Sequence, residues 1–195
     1  MLSAFSRTCK GRVIMTLPVQ APRGLVHVYC GEGKGKTTAA IGLGMRSAGR
    51  GRKVLLVRFL KTNDSGELVS IPQVQGFDIL DREPVKGFVG QMTEDDRACT
   101  ARVERQLFET AVDRVQDRSY ALLILDEAIG AMAYGILPVT SVLEFLVRRP
   151  PELEVVLTGR NPPQELLDVA DYISEIRCVR HPFQRGIPAR IGIER

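Results

Sequence analysis

Two rhythms alternate along this chain. Short apolar runs, rich in β-branched residues and near-continuous, are followed by longer stretches in which apolar positions recur every three or four residues. Leu25–Cys30 is the first run, and a helical stretch opens near Lys36 behind a glycine-rich turn. Val54–Leu60 is a second strand, introduced by Gly49, Gly51 and Lys53. Residues 62–90 are loop-rich, with Phe77–Leu80 as a short strand. Thr93 followed by Glu94, Asp95 and Asp96 has the form of a helix N-cap with acids in the first turn. The helix it opens runs to about Val115 and aligns Val103, Leu107 and Ala111 on one face.

Ala121–Leu125 is an unbroken apolar run ending in Asp126-Glu127, the signature of a parallel strand covered on both faces. Pro138 suits the first position of a helix that ends at Arg148-Arg149. Val155–Thr158 is the next strand, Asn161 is expected to cap a helix over Pro162–Ala170, and Tyr172–Val179 closes the sheet. This alternation predicts a single doubly wound α/β domain with a mostly parallel central sheet. Its boundaries are 24–195, with residues 1–23 as an N-terminal arm, expected to be flexible and without a packed element.

Composition narrows the function classes. The 195 residues are 44% hydrophobic and 26% charged, enough for one core without staples. The longest uncharged stretch, Ala128–Leu143, is 16 residues and is broken by Gly130, Gly135 and Pro138. A membrane span wants about 20, so no membrane partner is expected. The net charge of +4 comes from 27 basic and 23 acidic residues, and Arg7, Lys10, Arg12 and Arg23 account for all of the excess. The remainder is balanced, which argues against nucleic acid as a ligand of the body. The acid-free leader faintly resembles an organelle-targeting peptide, but we read it as an upstream extension, with Met15 a candidate start. Cys9, Cys30, Cys99 and Cys178 lack paired spacing and read as free thiols in a reducing, cytoplasmic compartment. With only His27 and His181 beside them, a metal should be held by oxygens.

The chemistry concentrates in Cys30-Gly31-Glu32-Gly33-Lys34-Gly35-Lys36-Thr37-Thr38, between the first strand and the first helix. There a phosphate-binding loop turns successive N–H groups and a helix N-terminus toward an anion. Lys36 supplies a point charge and the Thr37 hydroxyl a place in a Mg²⁺ shell. Cys30 stands at the usual first glycine, which is tolerable where that residue need not take positive φ. Asp126-Glu127 follows 90 residues after Thr37, where an acid at a strand's carboxyl edge beside the first strand would serve Mg²⁺. Loop and acids together indicate binding of Mg-ATP or a similar triphosphate. Spacing does not say which bond breaks, and an ATPase, a small-molecule kinase acting at the γ-phosphate, or a non-catalytic binder remain alternatives.

Further wording supplies a resemblance. Gly31–Ala40, Val57-Arg-Phe-Leu-Lys61, Leu125-Asp-Glu127 with Ala133–Leu137, Leu157-Thr-Gly-Arg160, His181-Pro-Phe183 and Gly192-Ile-Glu194 occur in this order. Together they resemble the P-loop type of ATP:cob(I)alamin (corrinoid) adenosyltransferase, with a RecA-like domain, from about Gly24 to the C-terminus. The resemblance implies that Co(I) of a reduced corrinoid attacks the ribose 5′ carbon of ATP and that triphosphate departs. It implies ATP contacts from Gly31, Glu32, Gly33, Lys34, Gly35, Lys36, Thr37 and Thr38, with Arg46 and Arg160 as further candidates. Thr37 and Glu127 would ligate Mg²⁺, with Asp126 orienting. Lys36 and Glu127 carry the catalytic assignment together with Phe88, which falls where the family places an aromatic against the corrinoid's lower face. Gly90 stands where a tryptophan often occurs, so either another aromatic such as Phe77 substitutes or the displacement of the lower ligand is altered. The resemblance also implies a homodimer, a reductant or reductase, and an arm able to close over the corrinoid.

Overall fold

The computed structural model describes residues 7–9, 12–14, 23–61, 64–80, 92–117 and 119–194. Two short strands lie in the arm, β1 (Arg7–Cys9) and β2 (Arg12–Ile14), paired antiparallel with each other, where no regular element was expected. The body then alternates as β3 (Val26–Cys30), α1 (Lys36–Ala48), β4 (Lys53–Arg58), α2 (Glu67–Ser70), β5 (Phe77–Leu80), α3 (Glu94–Gln116) and β6 (Tyr120–Asp126). It continues through α4 (Ala128–Ala133), α5 (Val139–Arg148), β7 (Glu154–Thr158), α6 (Gln164–Val169) and β8 (Tyr172–Glu175).

Six strands form one sheet in the order β5-β4-β6-β7-β3-β8, and every pairing in it is parallel. All carboxyl ends therefore emerge along the same edge. Sequence reasoning set the acidic strand beside the phosphate-loop strand; instead β7 lies between β6 and β3. The inner places of a covered parallel sheet go to strands buried on both faces. Val155, Val156 and Leu157 are fully buried and meet that requirement.

Period-two alternation sorts the core into two halves. Leu55, Val57, Leu123, Leu125, Val155 and Leu157 face the layer that includes Ala111 of α3, Ile129 of α4, Phe145 of α5 and Leu166 of α6. Val54, Leu56, Leu122, Ile124 and Val156 face α1 and Ile71. Each such side chain contributes about 1.5–3 kcal/mol by leaving water. Gly44 of α1 lets that helix come down on the sheet, because a Cβ there would lie 2.5 Å from the Phe77 ring. Phe77 is thus core, at the amino end of β5, and its expected service to a corrinoid is overturned by burial.

Local signals were largely honoured. The Thr93 side chain accepts the Asp96 N–H at the start of α3. Leu107 and Ala111 are buried there, while Val103 is half-buried. Arg149 closes α5, its guanidinium donating to the carbonyls of Leu146, Leu153 and Gly24. Asn161 does not cap α6. It sits in a left-handed turn at φ 51°, and the helix starts at Gln164 behind Pro163. The residue before a proline is steered away from the right-handed helical region, and Asn161 precedes Pro162. The last strand is also shorter than expected, ending at Glu175 and exposed throughout.

Candidate functional site

The carboxyl ends of β3, β4, β6 and β7 converge on the start of α1. Cys30 ends β3 without positive φ, and Gly31 takes the turn instead at φ 100°. Gly35, at φ 120°, precedes α1 and has no side chain to cap it. The free N–H groups of the first helical turn therefore face outward beside the loop, with no acid in that turn to oppose an anion.

Gly31 and Gly33 answer a second demand that the motif alone did not reveal. A Cβ at either would lie 2.6–2.7 Å from the Ile176 carbonyl oxygen. The Gly33 N–H donates to that oxygen at 2.7 Å, and the Ile176 N–H to the Cys30 carbonyl at 2.8 Å. The chain leaving β8 thus braces the outer wall of the loop.

The Lys36 ammonium folds back across the loop, donating to the Gly31 and Gly33 carbonyls at 2.7 and 2.8 Å. Burial holds its pKa below the ordinary lysine value, against the pull of Glu127. Thr37 Oγ1 donates to Asp126 Oδ1 at 2.8 Å, joining α1 to β6. Asp126 is completely buried, and its second oxygen accepts from the Lys61 ammonium. Glu127 follows in a left-handed conformation, φ 61°. Burial, then the neighbouring Asp126 charge, push its carboxyl pKa up, against the attraction of Lys61, Lys36 and Arg160.

Thr158 and Lys61 complete the cluster, and sequence reasoning gave neither a role. Thr158, fully buried at the end of β7, donates from Oγ1 to Asp126 Oδ1 at 2.6 Å and accepts the Glu127 N–H at 2.9 Å. It occupies the place created by β7 lying between the loop strand and the acidic strand. Gly159 beyond it has φ 146°, and a Cβ there would meet the Gly130 nitrogen at 2.8 Å. The signal for both residues lies in the strand-end segments Val57-Arg-Phe-Leu-Lys61 and Leu157-Thr-Gly-Arg160.

Of the remaining candidates, Arg160 pairs with Glu32 at 2.9 Å across the mouth of the loop. Lys34 and Thr38 are exposed on its outer side. Arg46 is not gathered here: it lies ten residues along α1 from Lys36, about 15 Å at the helical rise. Phe88 and Gly90 lie outside the described residues. Cys30 is buried at the loop, and burial followed by the Glu175 charge pushes its thiol up, so it is no ready nucleophile. Among the described residues, no three His, Cys, Asp or Glu side chains gather as a metal cluster, and no helix is long and apolar enough to cross a membrane.

The model of the family described as ATP:corrinoid adenosyltransferase BtuR/CobO/CobP matches residues 22–195. The chain belongs to that family. It is 37% identical to the corrinoid adenosyltransferase of Escherichia coli (strain K12) over 177 residues, 90% of this chain and 87% of the relative. The corrinoid adenosyltransferase CobA of Salmonella typhimurium is 34% identical over 180 residues, covering 90% and 87%. The corrinoid adenosyltransferase of Pseudomonas aeruginosa is 31% identical over 176 residues, covering 88% and 84%. This adenosyltransferase accordingly moves the 5′-deoxyadenosyl group of ATP to Co(I) of a reduced corrinoid and releases triphosphate.

Proposed function

We propose that the adenosyl transfer is run from the cluster just described, as a RecA-like phosphate-loop site in which the triphosphate is held rather than cleaved. The carrying observation is the direct bond from Thr37 to the buried Asp126, beside a lysine folded over the loop. The open N–H groups of α1 with Gly31–Thr38 would cradle the phosphates. Lys36, lying over the loop carbonyls, can turn to them. Lys34, Glu32 and Arg160 are assigned to the nucleotide's periphery.

The oxygen donors fit Mg²⁺: a hydroxyl from Thr37 and carboxylates from Glu127 and Asp126, with a cation, the Lys61 ammonium, already seated on Thr37 and Asp126. Thr37 and Glu127 would hold the ion, and Asp126 would orient Thr37. A bound Mg²⁺ supplies neutralisation of charge developing on the departing triphosphate. The attacking electron pair comes from the corrinoid substrate. The protein's own work is then to fix the ribose carbon in line and to hold the leaving group. An ammonium folded over the loop and a buried, paired carboxylate suit that holding task.

The remaining roles belong to this same reading. Phe88 is assigned to the corrinoid's lower face, a separate reductant or reductase supplies Co(I), and the location is cytoplasmic. Residues 24–195 form the catalytic unit and 1–23 an arm. A homodimer is supported by the exposed apolar side chains of the edge strand β8 and of the chain after it: Tyr172, Ile173, Val179, Phe183 and Ile191. Anaerobic incubation with ATP, Mg²⁺ and chemically reduced cobalamin tests the chemistry. Adenosylcobalamin and inorganic triphosphate are expected, whereas ADP and phosphate as main products would move the reaction to the γ-phosphate.

A further inference from the structure

Lys61 stands where the metal reading and the structure meet. Its ammonium touches Thr37 Oγ1 at 2.9 Å and also Asp126 Oδ2. Asp126 is completely buried, and its Oδ1 already accepts from Thr37 and Thr158. An ionised carboxylate in that position needs a counter-charge, and Lys61 supplies it.

The backbone shows that this placement is built. Leu60, directly before Lys61, has φ 56°, a left-handed conformation disfavoured for leucine. Its N–H is held by Glu104 Oε1 at 2.9 Å, from a fully buried position on α3. The Phe59 N–H, one residue earlier, donates to the Asp126 carbonyl at 2.9 Å. Strain of this kind persists only where the surroundings over-determine it. Here the surroundings turn the strand β4 so that its next side chain reaches the acid of the neighbouring strand.

The Lys61 ammonium already occupies the Thr37 hydroxyl oxygen that the metal would take. Bare Mg²⁺ must expel the ammonium with no new anion to receive it. Mg²⁺ carried by a triphosphate brings that anion with it. Resting on the proposed metal site above, we propose that Lys61 is the resident counter-ion of Asp126, keeping the metal position closed to bare Mg²⁺ and yielding it to Mg²⁺ delivered on a triphosphate. Lys61 thereby couples metal binding to nucleotide binding, a role distinct from contact with the reacting atoms.

The test is calorimetric titration of nucleotide-free protein with MgCl₂, for wild type, Lys61→Gln and Lys61→Met. Glutamine keeps donors toward Thr37 and Asp126 without the charge. Removing one positive charge about 5 Å from a divalent ion should tighten Mg²⁺ binding about tenfold or more even at water's dielectric constant. In the same variants, Mg²⁺ should strengthen binding of inorganic triphosphate less than it does in wild type. If Lys61→Met unfolds on losing its buried pair, recovery of its fold in millimolar MgCl₂ supports the proposal. A folded Lys61→Gln protein with unchanged or weaker Mg²⁺ affinity overturns it. Wild-type titration with Mg-ATP runs alongside: lack of binding there would refute the nucleotide site, while the metal titration of the apoprotein still decides the role of Lys61.

Discussion

Replacing Thr158 with valine isolates one hydroxyl at nearly constant volume. That hydroxyl donates to a fully buried carboxylate at 2.6 Å and accepts the N–H of Glu127 at 2.9 Å. A hydrogen bond to a charged group contributes about 1.5–3 kcal/mol. Leaving a buried N–H without its acceptor costs about 1–3 kcal/mol more, and the two effects share one atom and overlap. The expected destabilisation is therefore about 3 kcal/mol. With an m-value of about 2 kcal/mol/M, the urea midpoint should fall by roughly 1.5 M. Thr158→Ser keeps the hydroxyl and sheds one methyl, which should cost only about 1 kcal/mol. Adenosyl transfer should also slow in the valine variant, because the same atom holds the left-handed turn that carries Glu127. A valine variant within about 0.5 kcal/mol of wild type, the range of neutral surface changes, would refute the linkage from β7 to the acidic pair.

Gly33→Ala forces a Cβ to 2.7 Å from the Ile176 carbonyl, so the chain after β8 must retreat. Faster hydrogen exchange at Ile176 and weaker ATP binding are expected, and unchanged exchange there would show that the brace is dispensable. Arg149→Ala removes the donors that tie the carbonyls of Leu146, Leu153 and Gly24 together and should lower stability by about 2 kcal/mol by urea unfolding; lysine, without the planar fork, should restore little. Glu127→Gln should be more stable than wild type in nucleotide-free protein at neutral pH. The Glu127 pKa is raised from 4.5, so stability from its protonated form is present below that value and lost as pH rises through the folded-state value. The difference between variant and wild type should vanish in acid and grow toward pH 7, while adenosyl transfer falls; a wild type equal or superior at pH 7 would contradict the sign.

Much of this protein is fixed by local pattern. Leu122–Leu125 reads as a strand covered on both faces, Thr93 with its three acids as a helix start, and the glycine turn ahead of Lys36-Thr37 as the loop that enters α1, and each is found so. These are short-range preferences, written within one turn or one strand. Pairing order is different, because it depends on which strands can tolerate neighbours on both edges. It set β7 between the loop strand and the acidic strand, and with it gave Thr158 its place against Asp126. Lys61 and Asp126 are 65 positions apart, and a left-handed leucine clamped from α3 is what brings them together. Phe77 shows the converse: an aromatic free for any role as a letter becomes core once Gly44 lets α1 close over it. The residues name the chemistry, and contacts between distant segments decide which atoms can perform it, because burial and strand neighbours exist only after the chain has folded.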